Sequence, residues 1–468
     1  MNSSPASPQK HAVIIGASMA GLMACRVLSD HFEQVTLIEK DLVKKEPESR
    51  KGQPHTRHLH GLLAHGFNIM QTYFPQLKEE LTKGGAVVND MGGNMRWFIN
   101  GNYRARISFG QDGVLMSRPF LESLIRKAVL QRPNVRLLDQ CAVKAPIFSE
   151  HKNSIIGLEY IRKTQSETPQ QIFADLVVDA SGRGSVTPRW LESMGYPRPS
   201  ETTVGVKLGY ASCIFKRDAD RLENKEWVFI TPGNNKETRM GGAFPMEDNR
   251  WMVTLAGMSG DHPGDNMEAF LDFAKALPAK DVYEIVRKNE ALTDVYLYKY
   301  PLSLRRHYEK LKTFPEGFLV IGDAICSFNP IYGQGMTVAA MEIQQLDGLL
   351  KERQGNLKGL ARAFFKKAKK VVDIPWQTAV GEDFRFPGTE GTKPMGTDLI
   401  NAYIERIHNA SHHDEVVGKA FLKVMNLMHP PTSLFHPSIV WRTLFKKPKV
   451  QNLKVAALSP QPIHSSKE

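Results

Sequence analysis

The sequence predicts an α/β fold made of a Rossmann-like domain, an antiparallel sheet in the middle of the chain and a helical C-terminal region. Two observations predict the first part: an apolar strand at 11–15 precedes a glycine-rich turn and a helical stretch, and a second glycine-rich strand-to-helix junction occupies 317–350. A third observation predicts the sheet, because short β-rich runs separated by Gly, Asn and Asp fill 204–257.

The N-terminal unit has the order strand, turn, helix. Its turn, Gly16-Ala17-Ser18-Met19-Ala20-Gly21, precedes a predicted helix at 22–31 and a second strand at 34–38 that ends at Glu39. Glycine lets the backbone approach a phosphate, and the 23 residues from Gly16 to Glu39 match the spacing of the acid that binds a ribose hydroxyl. Ser18 stands where G-x-G-x-x-G has glycine. We therefore predict dinucleotide binding, with these candidate residues: Gly16, Ser18, Ala20, Gly21, Glu39 and Lys40.

The second junction runs from Gly317 to Met336. The apolar run 318–321 is typical of a buried strand, and 337–350 is typical of a helix. Ligands bind at such junctions in α/β proteins, where glycines and the positive end of the helix receive an anion. Taken alone, the stretch fits a helix cap and two turns equally well. Its candidate binding residues are Gly322, Asp323, Pro330, Gly333, Gly335 and Met336.

The remaining predicted elements lie between these two junctions and after the second one. Strands are expected at 204–215, 225–231, 239–246, 250–257 and 294–303, and helices after 350. The charged residues of 381–385 suit an ion-paired turn, to which we assign no chemistry. The late apolar residues form a face for packing, for an apolar substrate or for a membrane surface, and packing is the default: Met425, Leu427, Met428, Phe435 and Trp441.

Composition narrows the class of protein. The 468 residues carry a net charge of +12, which suits nucleic acid, an anionic membrane surface or a phosphate-bearing cofactor. No nucleic-acid motif is present, so we expect no nucleic-acid partner. No apolar run has transmembrane length and the N-terminus lacks a signal-peptide core, so we expect a cytoplasmic protein. Four scattered cysteines argue against zinc and against a disulfide framework.

Together, the N-terminal turn and the late Gly322-Asp323 resemble a family, the class A FAD-dependent monooxygenases of the para-hydroxybenzoate hydroxylase fold. The resemblance implies a Rossmann-like FAD-binding domain of the GR2 type. It also implies that Asp323 binds the ribityl chain of FAD and that the backbone from Gly333 to Met336 faces the flavin.

Two further segments resemble this family. Ser117-Arg118-Pro119 opens an amphipathic helix, like the family segment whose arginine contacts FAD, so Arg118 is a candidate. Asp179-Ala180-Ser181-Gly182 occupies the place of the family's Asp-Gly motif, which is linked to FAD and NADPH, and Asp179 and Gly182 are candidates. Because Ser181-Gly182 departs from that motif, the electron donor is left open between NADPH or NADH and a partner flavin reductase.

Longer strings resemble a subgroup that contains squalene epoxidase and bacterial epoxidases of polyenes: 52–60, 179–183 and 329–336. The resemblance implies an FAD-binding domain at 8–84, 105–185 and 301–370 and a substrate-binding sheet at 85–104 and 186–300. The residues that follow predict a helical region at 371–457 and a disordered tail at 458–468.

A histidine cluster, His55, His58, His60 and His65, suggests a metal site at first sight. No nearby Asp, Glu or Cys completes it, so we expect no metal. The resemblance instead places Arg57 or His58 near the flavin ring.

The resemblance implies that the protein inserts one oxygen atom of O2, through a C4a-hydroperoxyflavin, into a large apolar substrate, by epoxidation of a polyene, terpenoid or polyketide or by hydroxylation. A reductase of isoprenoid double bonds is the first alternative. A flavin-dependent halogenase, whose paired tryptophans are absent, and a non-catalytic FAD-binding protein follow. Peripheral membrane contact and the oligomeric state are left open.

Overall fold

The computed structural model describes residues 9–151, 153–163, 168–218, 226–233 and 237–446, and the predicted tail at 458–468 lies outside them. The strands are β1 Gln9–Ile15, β2 Phe32–Ile38, β3 Val87–Asp90, β4 Met95–Ile99, β5 Asn102–Tyr103, β6 Asp112–Leu115, β7 Val135–Leu138, β8 Cys141–Ser149, β9 Ser154–Arg162, β10 Gln170–Phe173, β11 Leu176–Asp179, β12 Glu201–Val204, β13 Leu208–Lys216, β14 Trp227–Ile230, β15 Arg239–Met246, β16 Arg250–Gly257, β17 Tyr296–Tyr300, β18 Ser303–Arg306, β19 Phe318–Val320 and β20 Cys326–Ser327. The helices are α1 Met19–Leu28, α2 Ala64–Tyr73, α3 Leu77–Lys83, α4 Arg118–Leu130, α5 Thr187–Ser193, α6 Met267–Lys275, α7 Asp281–Lys288, α8 Gly335–Arg353, α9 Leu360–Asp383, α10 Thr397–Ala410, α11 Glu415–Met425 and α12 Pro437–Leu444.

A five-stranded parallel sheet with the order β19-β11-β1-β2-β7 forms the centre of the first unit. Its strands are apolar along most of their length, as expected for parallel strands buried on both faces. Helix α1 packs against β1 and β2, and α8 packs against α1. Because β1 and β19 belong to the same sheet, the turn after β1 and the loop after β19 lie at the same edge.

A seven-stranded sheet with the order β17-β13-β16-β15-β14-β4-β5 forms the second unit. Its neighbouring strands are antiparallel except for the parallel pair β14 and β4. One face carries Phe215, Trp251 and Leu255, which pack with Phe270 and Phe273 of α6. The alternating residues of the opposite face are free to line a cavity. The α/β fold class with an antiparallel sheet and late helices is thus confirmed.

Two predicted strands are divided in the structure. The run 294–303 separates into β17 and β18 because Pro301, which has no N–H to donate to a ladder, stands between them. The run 204–215 separates into β12 and β13 at Lys207, whose φ is +50°. Helix α1 begins at Met19, three residues earlier than predicted, so Ala20 and Gly21 form its first turn.

Among the described residues, no helix combines the length and the apolar character that crossing a bilayer requires.

Candidate functional site

A cavity of about 1030 Å³ extends from the β1–α1 turn, past the loop before α8, to the inner faces of the C-terminal helices. Most of the predicted binding residues line it, and they come from both glycine-rich junctions: Gly16, Ser18, Ala20, Glu39, Lys40, His58, Arg118, Gly182, Asp323, Pro330, Gly333, Gly335 and Met336. The fold therefore brings together residues that lie up to three hundred positions apart in the sequence.

The β1–α1 turn is shaped by close backbone contacts. Gly16 has φ +101°, and a Cβ there would lie 2.6 Å from the carbonyl oxygen of Ala180. A Cβ on Gly21 would lie 1.8 Å from the carbonyl oxygen of Gly16, so helix and turn pack backbone to backbone. Ser18 is the N-cap of α1, yet its side chain makes no capping bond and lines the cavity. The start of α1 thus offers backbone N–H groups and a hydroxyl to an anion.

A buried ion-pair network lies beside this turn. Arg50 is 3.2 Å from the carboxylate of Glu39 and 2.6 Å from that of Glu122. Arg118, whose pKa is lowered chiefly by burial, pairs with Glu122 at 2.9 Å. Glu39 also accepts the N–H of Ala17 at 2.9 Å. The network fixes the cavity-lining side chains of Glu39 and Arg118. Arg50 and Glu122 were not predicted from the sequence because neither belongs to a local motif.

Asp323 faces the cavity from the loop after β19. Its carboxylate makes no hydrogen bond to any described residue, although burial raises its pKa to about 6, an effect that Arg183 and Arg118 oppose. The preceding Gly322 has φ +63° and donates its N–H to Glu342 at 2.6 Å. The side chain of Asp323 is exposed to the cavity, so both carboxylate oxygens can accept hydrogen bonds from a ligand, and sugar-like hydroxyls supply such donors.

The loop between β20 and α8 is held from the C-terminal region. Asp383, at the end of α9, is fully buried and accepts hydrogen bonds from Asn329 at 2.7 Å and from the hydroxyl of Tyr332 at 2.8 Å. Gly333 follows with φ +64° and packs against Gly61. The sequence analysis assigned no chemistry to 381–385, and only the charge of Asp383 next to an apolar helix face could have marked it. It positions the loop that precedes α8.

Four predicted residues lie outside the cavity wall. Gly21 acts through the close packing described above, and a Cβ on Gly322 would lie 2.9 Å from the Cβ of Ala20. Asp179 is buried at the end of β11, where it accepts hydrogen bonds from the hydroxyls of Ser181, Ser185 and Thr187. Arg57 is exposed, with its guanidinium 4.7 Å from the centre of the Tyr296 ring. Asp179 therefore stabilises a turn, and Arg57 lies against the ring of Tyr296 outside the cavity wall.

His58 is buried, and the other three histidines of the cluster are half-buried. Burial, followed by neighbouring positive groups, lowers the pKa of His55 and of His58 to about 4 and that of His60 well below its ordinary value. His58 Nδ1 lies 2.8 Å from the hydroxyl of Ser212, which lies 2.6 Å from that of Thr254. Within the described ranges, no three metal-ligating side chains of His, Cys, Asp or Glu converge.

Apolar side chains from the open face of the seven-stranded sheet, from α11 and from the segments before β4 and after α11 line the rest of the cavity: Met91, Met95, Trp97, Ile99, Trp227, Phe229, Phe244, Phe421, Met425 and Leu427. Met425 and Leu427 had been assigned to packing by default, but they face this space. Phe435 and Trp441 are exposed at the surface. The cavity thus has one end rich in glycine and charge and a second end that suits a large apolar molecule.

These features fit FAD. The N-terminus of α1 with Ser18 would receive the pyrophosphate, Glu39 a ribose, and the partnerless Asp323 the ribityl hydroxyls. A Cβ at Gly335 would lie 3.8 Å from the carboxylate of Asp323, so the start of α8 is close enough to share the same group.

Comparison with known proteins agrees with this site. The chain is 32% identical over 437 residues to Protein Rv3254 of Mycobacterium tuberculosis, covering 90% of both chains. It is 24% identical over 400 residues to kynurenine 3-monooxygenase of Salinispora tropica, covering 81% of both. It is also 24% identical over 364 residues to squalene monooxygenase of Mus musculus, covering 73% of this chain and 54% of that protein. No family model matches the chain.

Solved structures share the fold at low sequence identity. The flavin-dependent brominase Bmp2 superposes with a TM-score of 0.65 at 14% identity, covering 89% of this chain and 94% of that one. The p-nitrophenol 4-monooxygenase PnpA from Pseudomonas putida gives 0.62 at 13% identity, covering 90% and 99%. The monooxygenase relatives, the shared fold and a cavity that fits FAD lead to one conclusion: the chain belongs to the class A FAD-dependent monooxygenases.

Proposed function

We propose that this FAD-dependent monooxygenase epoxidises a carbon–carbon double bond of a large apolar polyene, terpenoid or polyketide. The apolar end of the cavity is the observation that carries the proposal. Its wall combines aromatic rings from β4, β14 and β15 with methionine and leucine from the C-terminal helices, among them Trp97, Phe229, Phe244, Met425 and Leu427. Such a surface binds an extended hydrocarbon by burial of apolar area rather than by hydrogen bonds.

The titratable groups near this end favour an alkene over a phenol. Hydroxylation of a phenol benefits from a base that removes its proton. The imidazoles of His55, His60 and His408 on the wall have lowered pKa values, and burial lowers the pKa of His58 to about 4, so His58 is a weak base. The phenol of Tyr210 packs edge-on against it, with the ring centres 4.6 Å apart, and burial raises the pKa of Tyr210 well above its ordinary range. An alkene needs no such base.

The cofactor and the chain have separate tasks. When bound and reduced, FAD activates O2 and supplies one oxygen atom to the substrate. Ser18, Glu39 and Asp323 would hold the cofactor, and Asp383 fixes Asn329 and Tyr332 in the loop before α8. The aromatic wall orients the substrate and excludes water from the reacting atoms.

For the electron donor we propose NADPH or NADH, with a partner flavin reductase as the alternative. Gly182 and Gly184 leave open space beside the cavity, since a Cβ on either would meet no atom within 4 Å. Stopped-flow reduction of the bound flavin with each nucleotide separates the two sources. Rapid reduction by either nucleotide supports direct use, and no reduction by both supports the partner.

Substrate-stimulated turnover tests the proposal. Purified holoenzyme with a reductant should consume O2 faster when squalene or another polyene is added, and the product should be an epoxide. Stimulation by phenols alone would replace epoxidation by aromatic hydroxylation. A hydrogenated product would identify the isoprenoid reductase, and turnover that requires chloride or bromide would identify the halogenase.

A further inference from the structure

The cavity ends, away from the glycine-rich junctions, at a histidine without a hydrogen-bond partner. His408 of α10 is 4% exposed and lines the cavity, and its ring makes no hydrogen bond to any described residue. It packs edge-on against Phe421, with the ring centres 4.7 Å apart. A buried imidazole without a partner has lost its bonds to water and gained none in return.

A buried cation stands directly behind this wall. The guanidinium of Arg104 lies 4.6 Å from the centre of the Trp97 ring and 4.5 Å from that of Phe421, between two residues that face the cavity. Arg104 is 6% exposed, its Nη1 has no hydrogen-bond partner, and within the described ranges no carboxylate pairs with it. Burial lowers the pKa of Arg104 to about 9, so it is still charged at neutral pH.

The charge balance at this end is positive. Arg385 also lines the cavity, and Glu382 compensates it at 3.4 Å. Burial and then the positive groups Arg104, Arg385 and His412 lower the pKa of His408 well below its ordinary value, so its ring is neutral. Neutral imidazole carries one N–H donor. The end therefore holds an uncompensated cation, Arg104, and a free donor, while the carboxylate of Glu382 is paired with Arg385.

From this geometry we propose that the far end of the cavity binds the carboxylate of an otherwise apolar substrate. His408 donates the hydrogen bond, and Arg104 supplies the positive charge through the ring layer. The inference rests on the proposed function, in which the apolar wall binds the hydrocarbon part, and it narrows the substrate class to long unsaturated carboxylic acids. The acid group anchors one end of the chain while a double bond reaches the flavin side.

Direct binding to the oxidised holoenzyme tests this without turnover. The probe is cis-parinaric acid, a conjugated polyene acid that fluoresces in apolar surroundings, compared with its methyl ester. The acid should bind about ten- to hundredfold more tightly than the ester, which is the effect of one charge-assisted hydrogen bond. Equal binding of acid and ester by the unmodified protein would overturn the proposal.

Variants then assign the preference to residues. His408→Phe and Arg104→Met should each reduce the acid-to-ester ratio toward one and leave ester binding unchanged, whereas His408→Gln and Arg104→Lys should retain part of it. Arg217→Met is the matched control, because Arg217 is also buried and also lies over a ring, that of Trp251 at 5.3 Å, but this ring does not line the cavity, unlike those of Trp97 and Phe421. It should keep the full ratio. A ratio retained in both His408→Phe and Arg104→Met would also overturn the proposal.

Two controls locate the probe and confirm folding. Met425→Trp fills the apolar end and should weaken acid and ester alike, and unchanged binding would place the probe outside the cavity and refute the site. The FAD content and the melting temperature show which variants are folded. The conservative variants His408→Gln and Arg104→Lys replace any variant that is not. A preference for the acid without oxygenation of any substrate would refute the proposed function and support this site. Oxygenation without a preference for the acid would support the proposed function and refute this site.

Discussion

The carboxylate of Asp383 accepts a hydrogen bond from the side-chain amide of Asn329 at 2.7 Å and so joins the end of α9 to the loop before α8. The same oxygen accepts the hydroxyl of Tyr332 at 2.8 Å, and the other oxygen has no partner. One buried group from the helical region therefore fixes two residues of the loop that faces the flavin side of the cavity.

Removing this carboxylate should loosen the loop. Asp383→Ala leaves two buried donors without an acceptor, which costs about 1–3 kcal/mol for each donor. We expect a lower melting temperature and weaker FAD binding, measured by fluorescence titration of the apoprotein. Asp383→Asn keeps the oxygen that accepts both bonds and should bind FAD nearly as well as the unmodified protein. Unaltered FAD affinity in a folded Asp383→Ala protein would show that the loop is positioned without Asp383.

Asp383 should also make stability depend on pH. Burial, with a smaller contribution from Glu382, raises its pKa from 3.8 to about 7. Between these values the folded protein binds more protons than the unfolded chain, so stability falls as pH rises from about 4 to about 7. Each tenfold change in proton affinity corresponds to about 1.4 kcal/mol. Asp383→Asn mimics the protonated acid and lacks this titration.

Thermal unfolding of both proteins across this range measures the effect. The melting temperature of Asp383→Asn, relative to that of the unmodified protein, should rise with pH and level off above about 7. Parallel curves would mean that Asp383 has an ordinary pKa.

Asp323 should control flavin retention more than folding. Its carboxylate has no hydrogen-bond partner among the described residues, so its removal breaks no such hydrogen bond, whereas each charge-assisted bond to a ribityl hydroxyl is worth about 1.5–3 kcal/mol. Asp323→Ala should bind FAD about ten- to hundredfold more weakly. Asp347→Ala is the control, because Asp347 bonds His31, Tyr73 and Lys351 away from the cavity. Asp347→Ala should lower stability and leave FAD affinity unchanged. Normal FAD affinity in Asp323→Ala, together with weakened affinity in Asp347→Ala, would place the flavin elsewhere.

Two glycines should respond oppositely to alanine. Gly21→Ala places a Cβ 1.8 Å from the Gly16 carbonyl oxygen, so turn and helix must separate, with loss of stability and of FAD. Gly348→Ala, in α8, meets no atom within 4 Å and should stabilise the protein by about 0.4–1 kcal/mol. Denaturant unfolding measures both. A stable, flavin-replete Gly21→Ala protein would contradict the close packing of the β1–α1 turn.

The parts of the site that sequence predicted are those marked by local patterns. Gly16, Glu39 and Asp323 follow apolar strands at spacings that the chemistry of a dinucleotide requires, so they could be found without coordinates. Arg50 and Asp383 act through partners distant in the chain, and no periodicity or spacing joins them to the site. The strand break at Pro301 has a local cause, its missing N–H, whereas the break at Lys207 reflects pairing with distant strands, since β12 pairs with β18 and β13 with β16.

The surface of the C-terminal helices that faces the substrate could not be predicted from the sequence for the same reason. An apolar face at Met425 and Leu427 was visible in the sequence, but packing, substrate and membrane all produce that pattern. Only the arrangement of α10 and α11 over the open face of the seven-stranded sheet places those side chains, with His408, in the cavity.

Incorporation of labelled oxygen tests whether the protein epoxidises a double bond with one oxygen atom of O2. Holoenzyme, a reductant and a polyene substrate are incubated under isotopically labelled O2, and the product is analysed by mass spectrometry. The account predicts a product with one labelled oxygen atom, located in an epoxide, and the second labelled atom in water. A hydrogenated or halogenated product without labelled oxygen, or unreacted substrate, would contradict the proposed epoxidation.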